Sequence, residues 1–159
     1  MNTSFEPGMD PAVFTGQFTS IEIIDPVAPP MVGNKTIDPT KLFKIKVTWN
    51  VAGFNVPLFL DNANGDWVVE AYAETLGPGD ELKIAEKTEV VGDVNLNPHS
   101  YTVELEVQPN TLQPYVHGPQ GPSGIYRLTV SAVLDSNLSP NYDIIGFAEG
   151  VTIRAAIPG

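Results

Sequence analysis

The stretch GIYRLTVSAVLD, residues 124–135, decides the fold that this sequence predicts. Apolar and polar side chains alternate along it with a period of two residues. One side holds Tyr126, Leu128, Val130, Ala132 and Leu134, and the other holds Arg127, Thr129 and Ser131. Such alternation is typical of a β-strand with one face in a hydrophobic core and the other in water.

Other stretches repeat this pattern, although less cleanly in some places. Alternation predicts strands at residues 42–51, 67–75 and 101–107, and weaker patterns predict strands at residues 13–25, 81–91 and 144–157. The apolar residues of 13–25 do not share one parity, which predicts a bulge near Gly16 or Thr19. Gly146 and Gly150 predict a bulge or a close backbone approach in the last strand. Residues 55–60 contain Pro57 and are predicted to be an edge piece or a crossing segment.

The order of these elements predicts an all-β fold. No segment shows a convincing 3.6-residue period, and seven or eight strands alternate with turns and Pro-rich loops. The prediction is therefore a single antiparallel β-sandwich, with residues 1–11 as an irregular N-terminal arm and residues 12–159 as the domain. Residues 25–40 and 108–123 carry four prolines each and are predicted to be loops. Connections as long as 108–123 are uncommon in compact domains and often functional.

The run at residues 124–132, followed by a loop and a Gly-rich final strand, resembles the last two strands of immunoglobulin-like and fibronectin-type-III-like domains. In immunoglobulin-like domains a tyrosine near the start of the penultimate strand bonds the backbone upstream, and Tyr126 matches that position. The resemblance implies that the Tyr126 hydroxyl bonds the backbone of residues 118–123. It also implies that the Trp49 and Trp67 strands are the second and third, with Trp67 in the core. It covers residues 40–157 as a pattern and carries no function to this chain.

The immunoglobulin-like order predicts which charged strands are neighbours. The strand with Lys44 and Lys46 is expected to pair with the strand that carries Glu104 and Glu106. The penultimate strand is expected to bring Arg127 to Glu70 or Glu74 of the third strand.

Composition restricts the classes of partner. The chain has 159 residues and a net charge of −11, and the acidic excess is similar in both halves of the sequence. Without a basic stripe, binding to nucleic acid or to an anionic membrane is disfavoured. No apolar run reaches the length of about 20 residues that a membrane span needs. The N-terminus has no secretory signal pattern, so the cytoplasm is the default expectation. The chain has no cysteine, which excludes disulfides and thiolate metal sites.

Few residues suggest chemistry. His99 and His117 lie in Pro-containing segments without nearby carboxylates and are predicted to be exposed loop residues. Glu70 and Glu74 are predicted to be solvated strand residues, and no nucleophile motif is present. Residues 61–66, DNANGD, are predicted to form a hairpin turn, although their oxygen-rich composition leaves Ca²⁺ binding open. No catalytic residue, metal or cofactor is predicted.

The sequence therefore favours a non-enzymatic structural or protein–protein interaction module, a subunit of an oligomer or larger assembly. Only 17% of residues are charged, which is consistent with a partly covered surface, although a surface rich in Thr, Asn and Ser explains it equally. Loop aromatics are typical partner anchors, and the candidate partner-binding residues are Tyr115, His117 and Tyr142. The alternative is a carbohydrate- or small-ligand-binding module, which requires exposed aromatic side chains on a concave face. A hydrolase requires converging histidines or carboxylates that the motifs do not indicate.

Overall fold

The strand predicted at residues 124–135 is present in the computed structural model, which describes residues 2–24, 36–78, 81–118 and 121–157. Within these residues nine strands form two packed sheets, which confirms the prediction of an all-β sandwich. The strands are β1 Asn2–Glu6, β2 Thr15–Ile24, β3 Thr36–Ile37, β4 Phe43–Ala52, β5 Trp67–Thr75, β6 Glu81–Glu89, β7 His99–Val107, β8 Ile125–Leu134 and β9 Ile144–Ala155. Of the loop predicted at residues 25–40, residues 25–35 lie outside the described residues and Thr36–Ile37 form β3.

The two sheets have a simple order. The larger sheet runs β1–β9–β8–β5–β6, and β3 pairs in parallel with the far end of β9. The smaller sheet runs β2–β4–β7. All other pairings are antiparallel. β9 pairs with β8 along one edge and with β1 and β3 along the other.

The predicted strand neighbours are confirmed, with one change of partner. Lys46 lies opposite Glu104 across β4 and β7, and the Lys44 ammonium is 3.4 Å from the Glu104 carboxylate. Arg127 lies opposite Glu74 across β8 and β5. Its guanidinium, however, is 3.6 Å from a carboxylate oxygen of Glu149 on β9, so its ion pair is not the one predicted.

Aromatic side chains fill the space between the sheets. Trp49 and Trp67 are fully buried with their ring centroids 5.4 Å apart, which confirms the prediction that Trp67 is a core residue. Tyr101 stacks on Trp49 at 5.2 Å, and its hydroxyl donates to the Val91 carbonyl oxygen at 2.7 Å. Aromatic pairs of this kind contribute about 0.5–1.5 kcal/mol beyond the burial of their area.

The N-terminal residues are more ordered than predicted. Instead of an irregular arm, Asn2–Glu6 form β1 and pair with β9, where Phe5 lies opposite Gly146. A Cβ atom on Gly16 would lie 2.6 Å from the Phe5 ring, and one on Gly146 would lie 2.4 Å from it. The Phe5 ring also packs on Phe18 at 5.1 Å. The two glycines therefore form a socket for one side chain from a distant part of the chain.

The irregularities of the strands have separate causes. The bulge in β2 falls at Thr19, as predicted, because the register with β4 shifts between Phe18 and Ser20. In β9 the extra residue is Gly150, whose φ of 129° favours glycine. Gly146 has no positive φ and provides the close approach instead.

Residues 55–60 were predicted to be an edge piece or a crossing segment; they form no edge strand, and they belong to the connection that crosses from β4 in the smaller sheet to β5 in the larger one. Val56–Asp61 form a short α-helix, α1, with Pro57 in its first turn, where the missing N–H costs nothing. Val56, Phe59 and Leu60 anchor it to the core. Residues 61–66 consequently join a helix to β5 and are not a hairpin loop. No helix among the described residues has the length and apolar character needed to cross a bilayer.

Apart from the two-residue strand β3, successive strands run in opposite directions, so their connections alternate between the two ends of the sandwich. The Phe54 end consists of residues 7–14, 53–66, 90–98 and 135–143. The Tyr115 end consists of the described parts of the connections at 25–42, 76–80 and 108–124. Every segment of the Phe54 end is described in full.

Candidate functional site

The three predicted partner-binding residues do not form one site. Tyr115 and His117 lie at the Tyr115 end, where the Tyr115 hydroxyl is 3.2 Å from His117 Nδ1. Tyr142 ends a 3-10 turn, Pro140–Tyr142, at the Phe54 end. The ten residues of β8 separate the two ends, a span of roughly 30 Å at the rise of a β-strand.

The connection at 108–124 is fixed to the body of the domain by Tyr126. The Tyr126 hydroxyl donates to the Gln113 carbonyl oxygen at 2.7 Å and accepts from the Gln113 N–H at 2.9 Å. The predicted bond to the preceding connection therefore exists, but it reaches Gln113 and not residues 118–123. Burial raises the pKa of Tyr126, so the phenol stays neutral and retains both bonds.

A shallow cleft of about 400 Å³ lies beside this connection. Tyr115, Ser123, Ile125 and Arg154 line it. Gly124 lets its own backbone approach that of Tyr115, because a Cβ atom at position 124 would lie 2.6 Å from the Tyr115 backbone nitrogen. Its φ of 72° also favours glycine. Arg154 is exposed and forms no ion pair within the described residues. An aromatic ring beside a guanidinium suits a small anionic ligand.

The Phe54 end exposes more large apolar side chains. Phe54 is 67% exposed, Leu138 48%, Leu58 43% and Tyr142 38%. The remaining segments of this end also contribute exposed apolar residues, namely Met9, Val90 and Leu96. Four separate connections at this end thus carry exposed apolar side chains.

Hydrogen bonds join these connections into one surface. The Phe54 N–H donates to the Ala12 carbonyl oxygen at 3.0 Å. The Asn97 side chain donates to the Gly53 carbonyl oxygen at 2.7 Å and accepts from its N–H at 3.1 Å. The Asn137 N–H donates to the Asn62 carbonyl oxygen at 2.8 Å. The segment at 53–66 is therefore bonded to each of the other three segments of this end.

Charge is distributed unequally between the two ends. The Phe54 end contains six aspartates and no lysine or arginine: Asp10, Asp61, Asp66, Asp93, Asp135 and Asp143. The sequences of the three connections at the Tyr115 end contain three aspartates and two lysines. Within the part of the chain that the structure describes, no three His, Cys, Asp or Glu side chains converge as metal ligands would.

His99 is not an exposed loop residue, and this prediction is wrong. It is the first residue of β7, is 6% exposed, and stacks on Tyr101 at 4.3 Å. Burial lowers the pKa of His99, and the nearby Asp93 opposes that shift only in part. The imidazole is therefore a neutral core group.

A cluster of charged side chains lies on the outer face of the larger sheet. The Tyr72 hydroxyl donates to the Glu70 carboxylate at 2.7 Å, which raises the pKa of Tyr72. The Lys83 ammonium lies 3.3 Å from Glu86 and 3.6 Å from Glu70, and the Glu86 contact raises the pKa of Lys83. These contacts account for Glu70 as part of a half-exposed ion-pair network.

The sequence analysis missed Phe54, Leu58 and Leu138. Their hydrophobicity alone does not distinguish exposed from buried positions, because Phe59 and Leu60 in the same helix are buried. A usable signal is the charge of each connection. Each of the four segments at the Phe54 end contains one or two aspartates and no lysine or arginine, whereas the connections 25–42, 76–80 and 108–124 at the other end have net charges of 0, −1 and 0.

Comparisons with known proteins give no family. No protein-family model and no curated protein matches this chain. Among solved structures, a β-glucosidase from Erythrobacter marinus aligns with 90% of this chain at 13% identity and a TM-score of 0.47. A mutant β-glucosidase from Listeria innocua in complex with laminaribiose aligns with 91% at 15% identity and a TM-score of 0.43. The chain spans 16% of the length of each of these proteins, and similarity at this level assigns neither a family nor an activity.

Proposed function

We propose that this chain is a non-enzymatic interaction module with an immunoglobulin-like or fibronectin-type-III-like strand order. In this proposal it docks within an oligomer or a larger assembly through its Phe54 end. The observation that carries the proposal is the group of exposed apolar side chains on four hydrogen-bonded connections at that end.

The strand order supports the immunoglobulin-like assignment. In that nomenclature β2, β4 and β7 take the places of strands A, B and E, while β5, β8 and β9 take the places of C, F and G. Tyr126 supplies the corner tyrosine near the start of the penultimate strand. The buried Trp67 on β5 corresponds to the core tryptophan of strand C.

The physical character of the Phe54 end supports docking. Contiguous apolar surface on a soluble domain marks interaction sites, and aromatic side chains are frequent anchors of binding energy. Phe54, at 67% exposure, contributes little to the core of its own domain. Because its segment is bonded to the other connections, binding orders few additional residues and loses less entropy.

The positions of the histidines support a non-enzymatic role. His99 begins β7 at the Phe54 end, while His117 lies at the Tyr115 end. Within the described residues, neither imidazole forms a hydrogen bond or ion pair with a carboxylate. Orientation of a catalytic histidine usually needs such a partner.

The cleft at the Tyr115 end favours a second candidate, binding of a small ligand. Trp49 and Trp67 are both fully buried, so neither provides an aromatic platform for a sugar. Tyr115 and Arg154 are exposed instead and suit a small acidic ligand. Titration with small sugar acids, followed by amide NMR shifts at residues 115, 125 and 154, tests this candidate. Unchanged shifts there reject it.

Single-cysteine variants test the docking proposal, because the natural chain has no cysteine. Leu58→Cys and Leu138→Cys report on the Phe54 end, and Val116→Cys and Ile157→Cys are controls of similar exposure near the other end. We compare maleimide labelling rates of purified protein with those in an extract of the native host. The proposal predicts that labelling at 58 and 138 slows by roughly tenfold in the extract, the effect of about 90% occupancy. Equal changes at all four positions contradict it.

A further inference from the structure

The charges around the Phe54 end indicate the chemistry of what it binds, an inference that rests on the docking function proposed above. The apolar residues Phe54, Leu58 and Leu138 lie on two of the four segments of this end, and the four segments together contain six aspartates and no lysine or arginine. Apolar anchors alone fit many partners. The carboxylates restrict the choice through the sign of their charge.

Half of these carboxylates are already used within their own loops. Three of them accept backbone N–H groups two to seven residues away: Asp10 from Ala12 at 2.9 Å, Asp93 from Asn95 at 3.0 Å and Asp143 from Ser136 at 2.7 Å. Their side chains are explained as turn-forming groups. They add negative potential, but pairing with a cation of a partner would compete with the hydrogen bonds that hold their loops.

The other three aspartates are exposed, and their side chains form no hydrogen bond or ion pair within the described residues. Asp61 ends α1, Asp66 immediately precedes β5, and Asp135 immediately follows β8. The Asn64 N–H donates to the Asp135 carbonyl oxygen at 2.7 Å, so Asp135 is held beside the segment that carries the other two. Asp61 and Asp66 lie on the same segment as Leu58, and Asp135 lies on the same segment as Leu138. Backbone hydrogen bonds join these two segments.

The arrangement of the carboxylates fits several separate cations better than one metal ion. Calcium requires six to eight oxygen ligands about one point. In the described part of the chain no such convergence occurs, and Asp61 and Asp66 are separated by the end of a helix and a turn. Carboxylates distributed around apolar side chains match a surface on which lysines or arginines flank apolar residues.

We propose that the Phe54 end binds a cationic amphipathic segment of a partner protein. Apolar side chains of this segment pack against Phe54, Leu58 and Leu138, and its lysines or arginines pair with Asp61, Asp66 and Asp135. The acidic end repels anionic membranes and nucleic acids, so the same charges select against those partners.

Two model peptides of about 18 residues test the sign of the charge. Both carry leucine on one helical face, and the opposite face carries lysine in one peptide and glutamate in the other. The lysine peptide is expected to bind in isothermal titration and to shift the NMR amide signals of residues 53–66 and 135–143. Binding is expected to weaken as salt rises from about 50 mM to about 500 mM. Equal binding of both peptides, or no binding of the lysine peptide, overturns the proposal.

Charge variants at the two ends separate a local site from a general effect of net charge. The triple variant Asp61→Asn, Asp66→Asn and Asp135→Asn is expected to lower the affinity for the lysine peptide by about tenfold. The matched control is Glu74→Gln, Glu81→Gln and Glu106→Gln. These three exposed carboxylates lie at the strand ends that are nearest the Tyr115 end of the sandwich. This control removes the same charge and is expected to change the affinity by less than about twofold. Equal losses in both triple variants overturn the proposal.

A variant of the apolar anchors completes the test. Phe54→Ser with Leu58→Ser is expected to abolish binding while the domain stays folded in thermal unfolding, because Phe54 is 67% and Leu58 43% exposed. Binding that persists in this variant overturns the proposal. If the lysine peptide does not bind, but the thiol of Leu58→Cys is protected from maleimide in the native extract, docking stands and only the cationic partner is rejected.

Discussion

The socket that holds Phe5 permits a quantitative prediction about how the N-terminal strand is anchored. Gly146→Ala places a Cβ atom 2.4 Å from Cζ and 2.5 Å from Cε1 of the Phe5 ring. Carbon atoms pack best about 3.5–4.0 Å apart, so the ring has to move by more than about 1 Å. Gly16 closes the other side, because its Cβ position is 2.6 Å from the same ring. A methyl group at either glycine therefore requires the Phe5 ring or β1 to shift.

The size of the effect follows from overpacking and from the loss of one aromatic side chain. Forcing a methyl group into a filled site costs about 1–3 kcal/mol. Phe5→Ala alone is expected to cost about 2 kcal/mol, below the range for fully buried phenylalanines, since Phe5 is only half-buried. Without the ring, Gly146→Ala is expected to be neutral or to stabilise by about 0.5 kcal/mol, because Gly146 has no positive φ. The predicted coupling between the two substitutions is therefore about 1–3.5 kcal/mol.

Urea unfolding of the wild type, both single variants and the double variant measures this coupling. Gly146→Ala is expected to lower the free energy of unfolding by about 1–3 kcal/mol in the wild type and not in the Phe5→Ala background. Gly150→Ala is the control on the same strand. Its cost comes from a φ of 129° and is expected to be equal in both backgrounds. If Gly146→Ala costs the same with and without Phe5, the socket does not explain this glycine.

Three further predictions concern single interactions. Tyr126→Phe removes both hydrogen bonds to Gln113 and is expected to cost about 2 kcal/mol in urea unfolding with an unchanged m-value. A loss below about 0.5 kcal/mol contradicts the role of this residue as a structural tether. Because burial lowers the pKa of His99 below 6.5, its neutral form is favoured in the fold. The resulting stability is present above the unfolded pKa of about 6.5 and is lost as pH falls through the folded value. Unfolding free energies at several pH values should show this slope in the wild type and a smaller one in His99→Phe, and identical slopes refute it. For Lys44 and Glu104, 3.4 Å apart with both side chains over a third exposed, a double-mutant cycle should give less than about 1 kcal/mol. A larger coupling contradicts the assignment of this pair as a surface salt bridge.

Strands with a strict alternation were predictable because their burial depends on local pattern. In β4, every second residue from Phe43 to Val51 is buried, as the sequence of that segment indicates. The strand neighbours were predicted from the resemblance to a known strand order, and the opposite charges on the outer faces of β4 and β7 align as that order predicts. Resemblance to a known strand order then placed Tyr126 and Trp67.

Elements that depend on distant contacts were not predictable. β1 exists because Phe5 fits between Gly16 and Gly146, and no local feature of residues 1–11 reports this contact. Helix α1 has six residues, fewer than two turns, so it is too short to display a helical period. His99 was assigned to a loop from its neighbouring proline, whereas stacking on Tyr101 places it in the core.

The candidate site was predictable only in part for a similar reason. Tyr142 was selected because aromatic residues in loops are typical partner anchors, but most of the other exposed apolar residues at the Phe54 end come from other connections. The acidic excess is even along the sequence, with ten acidic residues in 1–80 and nine in 81–159. The fold converts this even distribution into an uneven one, because alternate connections fall at opposite ends of the sandwich. The net charge of each connection therefore indicates which end of the sandwich is acidic, whereas the charge of each half of the sequence does not.

The most direct measurement of the central claim is photocrosslinking at Phe54 in the native host. Benzoylphenylalanine in place of Phe54 is compared with the same group in place of Tyr115, since both native side chains are exposed aromatics at opposite ends. We predict a discrete protein adduct from position 54, with the crosslinked peptide of the partner rich in lysine or arginine, and no adduct from position 115. An adduct from position 115 alone, or none from position 54, contradicts docking through the Phe54 end.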